Sequence, residues 1–143
     1  MTAPTDPQPS APSPSIAVLT LARRVEAELT AALAPLELTI SKLGLLGHIS
    51  GVPGASFSDL ARMSGISVQS VHGGVKALVA AGLVQDRTAR AGSASTIELT
   101  PEGTRLLRTA REKVSEVDER LFGPDADPAH REAGRAVQAT FPA

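Results

Sequence analysis

Apolar side chains recur every three or four residues along most of the chain, the spacing that places them on one face of an α-helix. The first such segment runs from Ile16 to Ala32. Ser13 and Pro14 have the residue types of an N-cap and a first helical position, and Pro35 predicts the end of the helix because proline disfavours helix at the preceding residue. The apolar face of this helix is wider than one small domain needs to cover.

Two shorter helices are predicted next. Thr39 is the expected cap of a second helix over residues 40 to about 49. Ser56 and Asp59 have the spacing of a capping box, in which each residue satisfies a backbone N–H near the other. They predict a third helix, which Gly65 ends in the left-handed conformation usual for a glycine at that position.

A fourth helix follows after about three residues, which is the spacing of a helix-turn-helix. Ser67 is its predicted cap and Gly82 its end. Its expected buried stripe consists of Val68, Val71, Val75, Leu78 and Val79.

A β-hairpin is predicted directly after this helix. Leu83-Val84 begins one strand, and the alternating segment Thr96-Ile97-Glu98-Leu99 is its partner. The residues between them, Asp86 to Ser95, are rich in Gly, Ala, Ser and Arg, and are expected to form a mobile hairpin tip.

Two further helices complete the pattern. Thr100-Pro101 begins a long helix whose apolar residues alternate at spacings of three and four, as in a coiled-coil seam. The members of this seam are Leu107, Ala110, Val114, Val117 and Leu121. Asp127-Pro128 begins a last helix, with Ala133, Val137 and Phe141 expected on one face.

The predicted fold class is mainly α with a two-stranded β wing: a winged helix-turn-helix flanked by N- and C-terminal dimerisation helices. The expected organisation is a disordered Pro/Ser-rich tail (1–15), a dimerisation helix (16–38), the winged helix-turn-helix (39–103) and C-terminal dimerisation helices (104–143). The apolar seams of the outer helices could be core of the same chain. Helices of about 20 residues outside a compact unit have little of their own chain to cover them, however, which favours a symmetric dimer.

Composition excludes several classes of protein. The chain has 143 residues and no Cys, which excludes disulfides and thiolate zinc sites. It has three Phe and no Trp or Tyr, which disfavours base stacking on single-stranded nucleic acid. We expect no membrane span and no signal peptide, and therefore a cytoplasmic protein. We also expect no cofactor, no metal site and no enzymatic activity, because no nucleophile elbow, phosphate-binding loop or histidine ligand spacing is present.

Charge is unevenly distributed although the formal net charge is only -1. Residues 39–100 carry a net charge of +2, whereas residues 1–38 carry -2 and residues 101–143 carry -1. A basic central unit between acidic flanks is the polarity expected of a DNA-binding domain on a scaffold, although an excess of this size lies within ordinary scatter.

Four segments in this order resemble the MarR family of transcriptional regulators: Ser56 to Ala61, Gly65 to Val71, Leu78 to Val84, and Leu99 to Gly103, with Leu38-Thr39 before the second helix. The resemblance covers about residues 16–141. It implies a homodimer, built through the first and last two helices, that binds double-stranded DNA at a pseudo-palindromic operator. It also implies release by a small anionic aromatic effector.

Two features depart from the family pattern. Gly73 and Gly74 lie inside the predicted recognition helix, where each costs about 1 kcal/mol relative to Ala. They are interpreted either as room for a phosphate backbone or as the mark of a weakened DNA-binding helix. The family's Asp-Arg-Arg triplet in the wing falls on Ala91-Gly92-Ser93, which leaves Arg87 and Arg90 as the nearby basic residues.

The recognition helix supplies most of the predicted DNA contacts. Gln69, His72 and Lys76 share one face, where Gln can bind adenine and Lys or His can donate to guanine or phosphate. Ser67 and Ser70 lie at the helix N-terminus, which favours a phosphate. The alternative is that these are ordinary solvated residues.

Three arginines and a histidine complete the set of candidate site residues. Arg87 and Arg90 are predicted to contact the minor groove or its phosphates, and Arg62 to contact the backbone. His48, at the end of the second helix, is a weak candidate for sensing an effector or pH, since a lone histidine is more often simply solvated. The charged residues around Glu112 and Arg120 are interpreted as a solvated, salt-bridged face.

The main hypothesis is therefore a dimeric, ligand-responsive DNA-binding regulator, most simply a repressor. The rival is a protein-interaction module that keeps the winged fold but has lost specific DNA recognition, as the two glycines and the Arg-poor wing suggest.

Overall fold

The computed structural model describes residues 2–4, 10–87 and 96–142, and within them six α-helices and one two-stranded sheet are present. The helices are α1 (Pro14–Leu33), α2 (Ile40–Gly51), α3 (Phe57–Ser64), α4 (Val68–Ala80), α5 (Pro101–Phe122) and α6 (Pro128–Gln138). The strands β1 (Val84–Arg87) and β2 (Thr96–Leu99) lie between α4 and α5, and a 3-10 turn (Ala34–Leu36) links α1 to α2.

The predicted helix starts are confirmed by their caps. In each case a side-chain oxygen accepts a hydrogen bond from a backbone N–H two or three residues further on, over 2.8–3.3 Å. The capping residues are Ser13, Thr39, Ser56, Ser67, Thr100 and Asp127. Each cap satisfies a first-turn N–H that no residue within the helix can pair with.

Helix ends also follow the sequence, with small differences. Gly65 and Gly82 have φ angles of 66° and 75°, the left-handed region that glycine enters without a Cβ clash. The first helix begins at Pro14, two residues inside the predicted tail, and the helix over 40–49 continues to Gly51.

The core centres on the contact of α4 with α2 and α3. Val71, Val75 and Leu78 of α4 are buried there. The prediction was wrong for Val68 and Val79, which are 41% and 42% exposed. At 100° per residue these two lie at the edge of the stripe, about 50–75° from its centre, where neighbouring elements no longer cover them.

Close packing of α4 on α2 explains one of the two helix glycines. A Cβ on Gly74 would lie 2.5 Å from Cδ1 of Leu45, which is buried in α2. A Cβ on Gly73 would meet nothing within 4 Å. Gly74 is therefore a packing residue, whereas Gly73 lies open on the surface.

The end of α4 is tied to the start of α5. The Thr100 hydroxyl donates to the Gly82 carbonyl over 2.6 Å, and the Thr100 N–H donates to the Leu83 carbonyl over 3.0 Å. Gly103, in the first turn of α5, approaches so closely that a Cβ there would lie 2.0 Å from the Leu83 oxygen. We call this connection, made by Gly82, Leu83, Thr100 and Gly103, the α4–α5 junction.

The wing is an antiparallel pair in which Val84 faces Leu99 and Arg87 faces Thr96. The predicted tip therefore began too early: Asp86 and Arg87 belong to β1, because they continue the ladder with Ile97 and Thr96. The remainder of the predicted tip, residues 88–95, lies outside the described residues.

The outer helices pack on one another but leave apolar surface exposed. The α5 seam is confirmed, with Val114 only partly buried. On α1, Ile16, Val18 and Leu19 are exposed. In the last segment Val137 is exposed, and Phe141 lies three residues beyond the end of α6 rather than on its face.

Among the described residues, no single helix is long and apolar enough to cross a bilayer. The segment Pro14–Leu36 and α2 would be long and apolar enough only together, and they are bent by 76° relative to one another. The α2 part of this pair contributes Leu45, Leu46 and Ile49 to the core.

The packing of α4 predicts opposite behaviour for adjacent glycines. Gly73→Ala is expected to raise the free energy of unfolding by about 0.5–1 kcal/mol, because Ala has the higher helix propensity and the site is open. Gly74→Ala gains the same propensity but presses on Leu45, so it is expected to be about 1–3 kcal/mol less stable than Gly73→Ala. Urea unfolding of the two variants and the wild type checks this, and equal stabilities would contradict it.

Candidate nucleic-acid interface

One exposed face of α4 carries the predicted base-contacting residues. Gln69, His72 and Lys76 are all exposed, and helical geometry places them within about 60° of one another around the axis. The opposite side carries the buried residues Val71 and Val75. Burial of the apolar stripe therefore fixes which side chains α4 offers to a partner.

The two serines at the start of α4 are hydrogen-bonded to each other. The Ser67 hydroxyl accepts from the Ser70 backbone N–H over 3.1 Å and lies 2.9 Å from the Ser70 hydroxyl. Both side chains are exposed. The pair serves first to cap α4, and it leaves this N-terminus at the surface, where an anion is favoured.

His72 is held by a contact that helical periodicity does not predict. Its ring stacks on that of Phe57, with 3.9 Å between ring centroids and 21° between ring planes. Phe57 is the first residue of α3 and is half-buried against the core. The exposed His72 imidazole of α4 is thus stacked on a residue of α3, the first helix of the helix-turn-helix.

Arg62 forms an ion pair with Asp59 on α3. Asp59 also accepts the Ser56 backbone N–H over 3.1 Å, which completes the predicted capping box. The Ser56 hydrogen bonds, with a smaller contribution from the Arg62 charge, hold the pKa of Asp59 below its ordinary value of 3.8. Arg62 remains largely exposed, so it lies at the surface as predicted, but beside a carboxylate.

Arg87 is likewise paired in the wing. Its Nε lies 2.7 Å from Oε1 of Glu98, and the same oxygen accepts from the Gln85 amide over 3.1 Å. Arg90, the other predicted wing contact, lies outside the described residues. Of the described candidate cations, only Lys76 has no ion-pair partner in the part of the chain that the structure describes.

His48 lies on the last turn of α2 and is half-buried. An open groove of about 390 Å³ is found nearby, between the end of α2 and the first half of α5, but His48 does not line it. Its lining residues are Ser50, Thr104, Leu107, Arg108, Arg111, Glu112 and Ser115. We call it the α2–α5 groove.

The expected salt-bridged face of α5 is present only in part. Lys113 pairs with Glu116 over 3.6 Å, and Arg120 reaches across to Glu28 of α1 over 2.9 Å. Arg108 and Arg111 form no ion pair with a described residue and border the α2–α5 groove instead. Arg108 and Arg111 were not among the site candidates predicted from the sequence, because helical spacing alone does not distinguish a solvated helix face from one that borders a groove.

The amino-acid sequence matches the model of the MarR family over residues 36–92. It is also 30% identical, over 112 residues, to the HTH-type transcriptional repressor Rv2887 of Mycobacterium tuberculosis, an alignment that covers 78% of this chain and 81% of the relative. The chain belongs to the MarR family. The MarR-family winged helix-turn-helix accounts for the element order α2, α3, α4, β1, β2.

Solved structures of the same mycobacterial relative superpose on this MarR-family protein over nearly its full length. The crystal structure of Rv2887 in complex with DNA has a TM-score of 0.74 and 26% identity, and the match covers 93% of this chain and 100% of the other. The complex of Rv2887 with salicylic acid has a TM-score of 0.70 and 27% identity, covering 93% and 98%.

The capping box of α3 predicts an acid-dependent contribution to stability. Because the pKa of Asp59 is lowered in the folded state, its stabilising effect is complete above its ordinary pKa and is lost as the pH falls through the lowered value. Asp59→Asn is therefore expected to destabilise the protein at pH 7 but progressively less below about pH 4. Urea unfolding across this pH range checks it, and a constant difference at all pH values would show that charge is irrelevant to the cap.

Proposed function

We propose that this MarR-family protein is a homodimeric, cytoplasmic transcriptional regulator that binds a pseudo-palindromic operator through α4 and is released by a small anionic aromatic ligand. The observation that carries the proposal is the exposed face of Gln69, His72 and Lys76, held outward by the buried stripe of a well-capped helix. The DNA complex of the mycobacterial relative, which has the same fold over its full length, supports it.

Dimerisation follows from the apolar surface that one chain leaves uncovered. Ile16, Val18 and Leu19 on α1, with Val137 and Phe141 at the C-terminal end, are 45–71% exposed. Exposed large apolar side chains on the outer helices are typical of an interface. A symmetric dimer through these helices would present two copies of α4 to successive major grooves, about one helical turn apart.

Phosphate and base contacts have different roles in this proposal. Lys76 and the exposed N-terminus of α4 supply most of the sequence-independent affinity through phosphates, and Arg62 adds less because it already pairs with Asp59. Gln69 and His72 supply base preference through hydrogen bonds in the major groove. Arg87 must give up Glu98, or share it, before it contacts DNA, so we assign it a smaller share of the affinity than Lys76.

The α2–α5 groove is the proposed ligand site. Two guanidinium groups without an ion-pair partner among the described residues, Arg108 and Arg111, lie beside the buried Leu107 and the hydroxyls of Thr104 and Ser115. Guanidinium pairs carboxylate in a bidentate geometry, and Leu107 offers apolar contact to a ring. The salicylate complex of the mycobacterial relative supports a ligand of this class.

The rival function, a winged module without specific DNA recognition, loses part of the support that the two glycines of α4 gave it. Gly74 is explained by its packing on Leu45 and needs no loss of function to account for it. Gly73, which no packing contact explains, and the Arg-poor wing remain in its favour.

Lys76→Ala is expected to weaken binding to every DNA sequence and to flatten its salt dependence. Each phosphate contact contributes about 0.9 to the slope of log K against log salt, so a dimer that loses two such contacts should lose about 2. Fluorescence anisotropy with a duplex from the protein's own upstream region and a mixed-sequence duplex, at several salt concentrations, measures both.

Lys113→Ala is the matched control, because it removes the same charge from α5, where Lys113 already pairs with Glu116. An unchanged affinity and slope for Lys76→Ala would remove Lys76 from the interface. Wild-type binding without preference for the upstream duplex would favour the rival function.

Arg108→Ala/Arg111→Ala is expected to weaken salicylate binding about 10-fold or more, because charge-assisted hydrogen bonds are each worth about 1.5–3 kcal/mol. The fluorescence of salicylate reports binding directly, since the chain has no Trp or Tyr. Lys113→Ala again serves as the control. Unchanged affinity in the double variant would place the ligand elsewhere.

A further inference from the structure

We propose that Phe57 sets the base preference of α4 without touching DNA, by holding the His72 ring in the orientation in which it meets a base. This inference rests on the proposed function and deepens it, since it assigns a positioning residue for DNA recognition. The carrying observation is the nearly parallel stack of the two rings, with 3.9 Å between centroids.

Phe57 is well placed to act as a fixed support. It is the first helical residue of α3, directly after the Ser56 cap. Ser56 and Asp59, on either side of it in the sequence, form the reciprocal hydrogen bonds of the capping box over 3.0 Å and 3.1 Å, and these bonds restrain the backbone at Phe57. Its ring packs against the core cluster that contains Leu60. Backbone and side chain are therefore both restrained before any partner binds.

His72 has no comparable restraint apart from this stack. It lies on the exposed face of α4, and no described residue forms a hydrogen bond or an ion pair with its imidazole. Stacking covers one face of the ring only. The two nitrogens lie in the ring plane at its edge, so they keep their capacity to hydrogen-bond a base edge.

In this arrangement Phe57 orients the His72 ring, and His72 alone makes the contact with the base. An exposed side chain loses rotamer freedom when it binds, and a ring that is already held loses less. Phe57 therefore reduces the loss of rotamer freedom that His72 undergoes on binding, in both subunits of a dimer. Because Phe57 carries no charge, its effect falls on the preference for the correct sequence and leaves the phosphate-dependent salt slope unchanged.

The experiment compares four proteins: wild type, Phe57→Leu, His72→Ala and the double variant. Each is titrated with the duplex from the protein's own upstream region and with a mixed-sequence duplex of the same length. The ratio of the two affinities is expected to fall about 2- to 10-fold per subunit in Phe57→Leu, with the salt slope unchanged. In the His72→Ala background Phe57→Leu should change the ratio no further, because the residue acts through His72.

Phe57→Tyr, which retains the ring, is the rescue variant and should keep the wild-type ratio. Circular dichroism confirms that each variant is folded before titration. NMR supplies a readout independent of DNA: the His72 ring protons should show the ring-current shift of a stacked aromatic in the wild type and in Phe57→Tyr, and lose it in Phe57→Leu.

Two results would overturn the inference. One is an unchanged affinity ratio in Phe57→Leu despite loss of the ring-current shift. The other is a fall in the ratio that is equally large with and without His72, which would make Phe57 a structural residue only. Failure of the proposed function is distinct, because wild-type protein would then show no preference for the upstream duplex at all.

Discussion

Burial of a narrow stripe on α4 is the constraint on which the rest of the structure depends. Val71, Val75 and Leu78 are at most 4% exposed, and they allow the helix only one rotation about its axis on α2 and α3. Gly74 permits the approach to Leu45 that this rotation requires. The packing of the core therefore determines which side chains of α4 are exposed to a partner.

The cationic side chains around α4 differ in whether a carboxylate pairs with them: Arg62 and Arg87 each form an ion pair, whereas Lys76 forms none with a described residue. Asp59 and Glu98 each neutralise an arginine that would otherwise add sequence-independent attraction for phosphate. Exposed ion pairs of this kind contribute little to stability, so their effect falls mainly on the local potential. With few unpaired cations near α4, the proposed base contacts would gain weight relative to the proposed phosphate contacts, in line with the net charge of only +2 on residues 39–100.

The sequence predicted helix boundaries well because the signals are local. Ser56, Ser67 and Thr100 each pair with a backbone group three residues away, so the capping residue and its partner lie in one short window. Failures came from contacts between distant segments. Exposure of Val68 depends on which elements pack on α4, the stack of His72 on Phe57 joins residues fifteen apart, and the groove beside Arg108 needs both α2 and α5 in place. Helical periodicity contains none of this information.

The α4–α5 junction has a mechanical consequence. The Thr100 hydroxyl, the Thr100 N–H and the absence of a Cβ on Gly103 hold Gly82 and Leu83, which directly follow α4, close against the start of α5. The α2–α5 groove begins at Thr104, the residue after Gly103. A molecule bound in that groove would therefore contact α5 directly beside the junction, and any displacement of α5 would reach the end of α4 through these close contacts and not through a flexible linker.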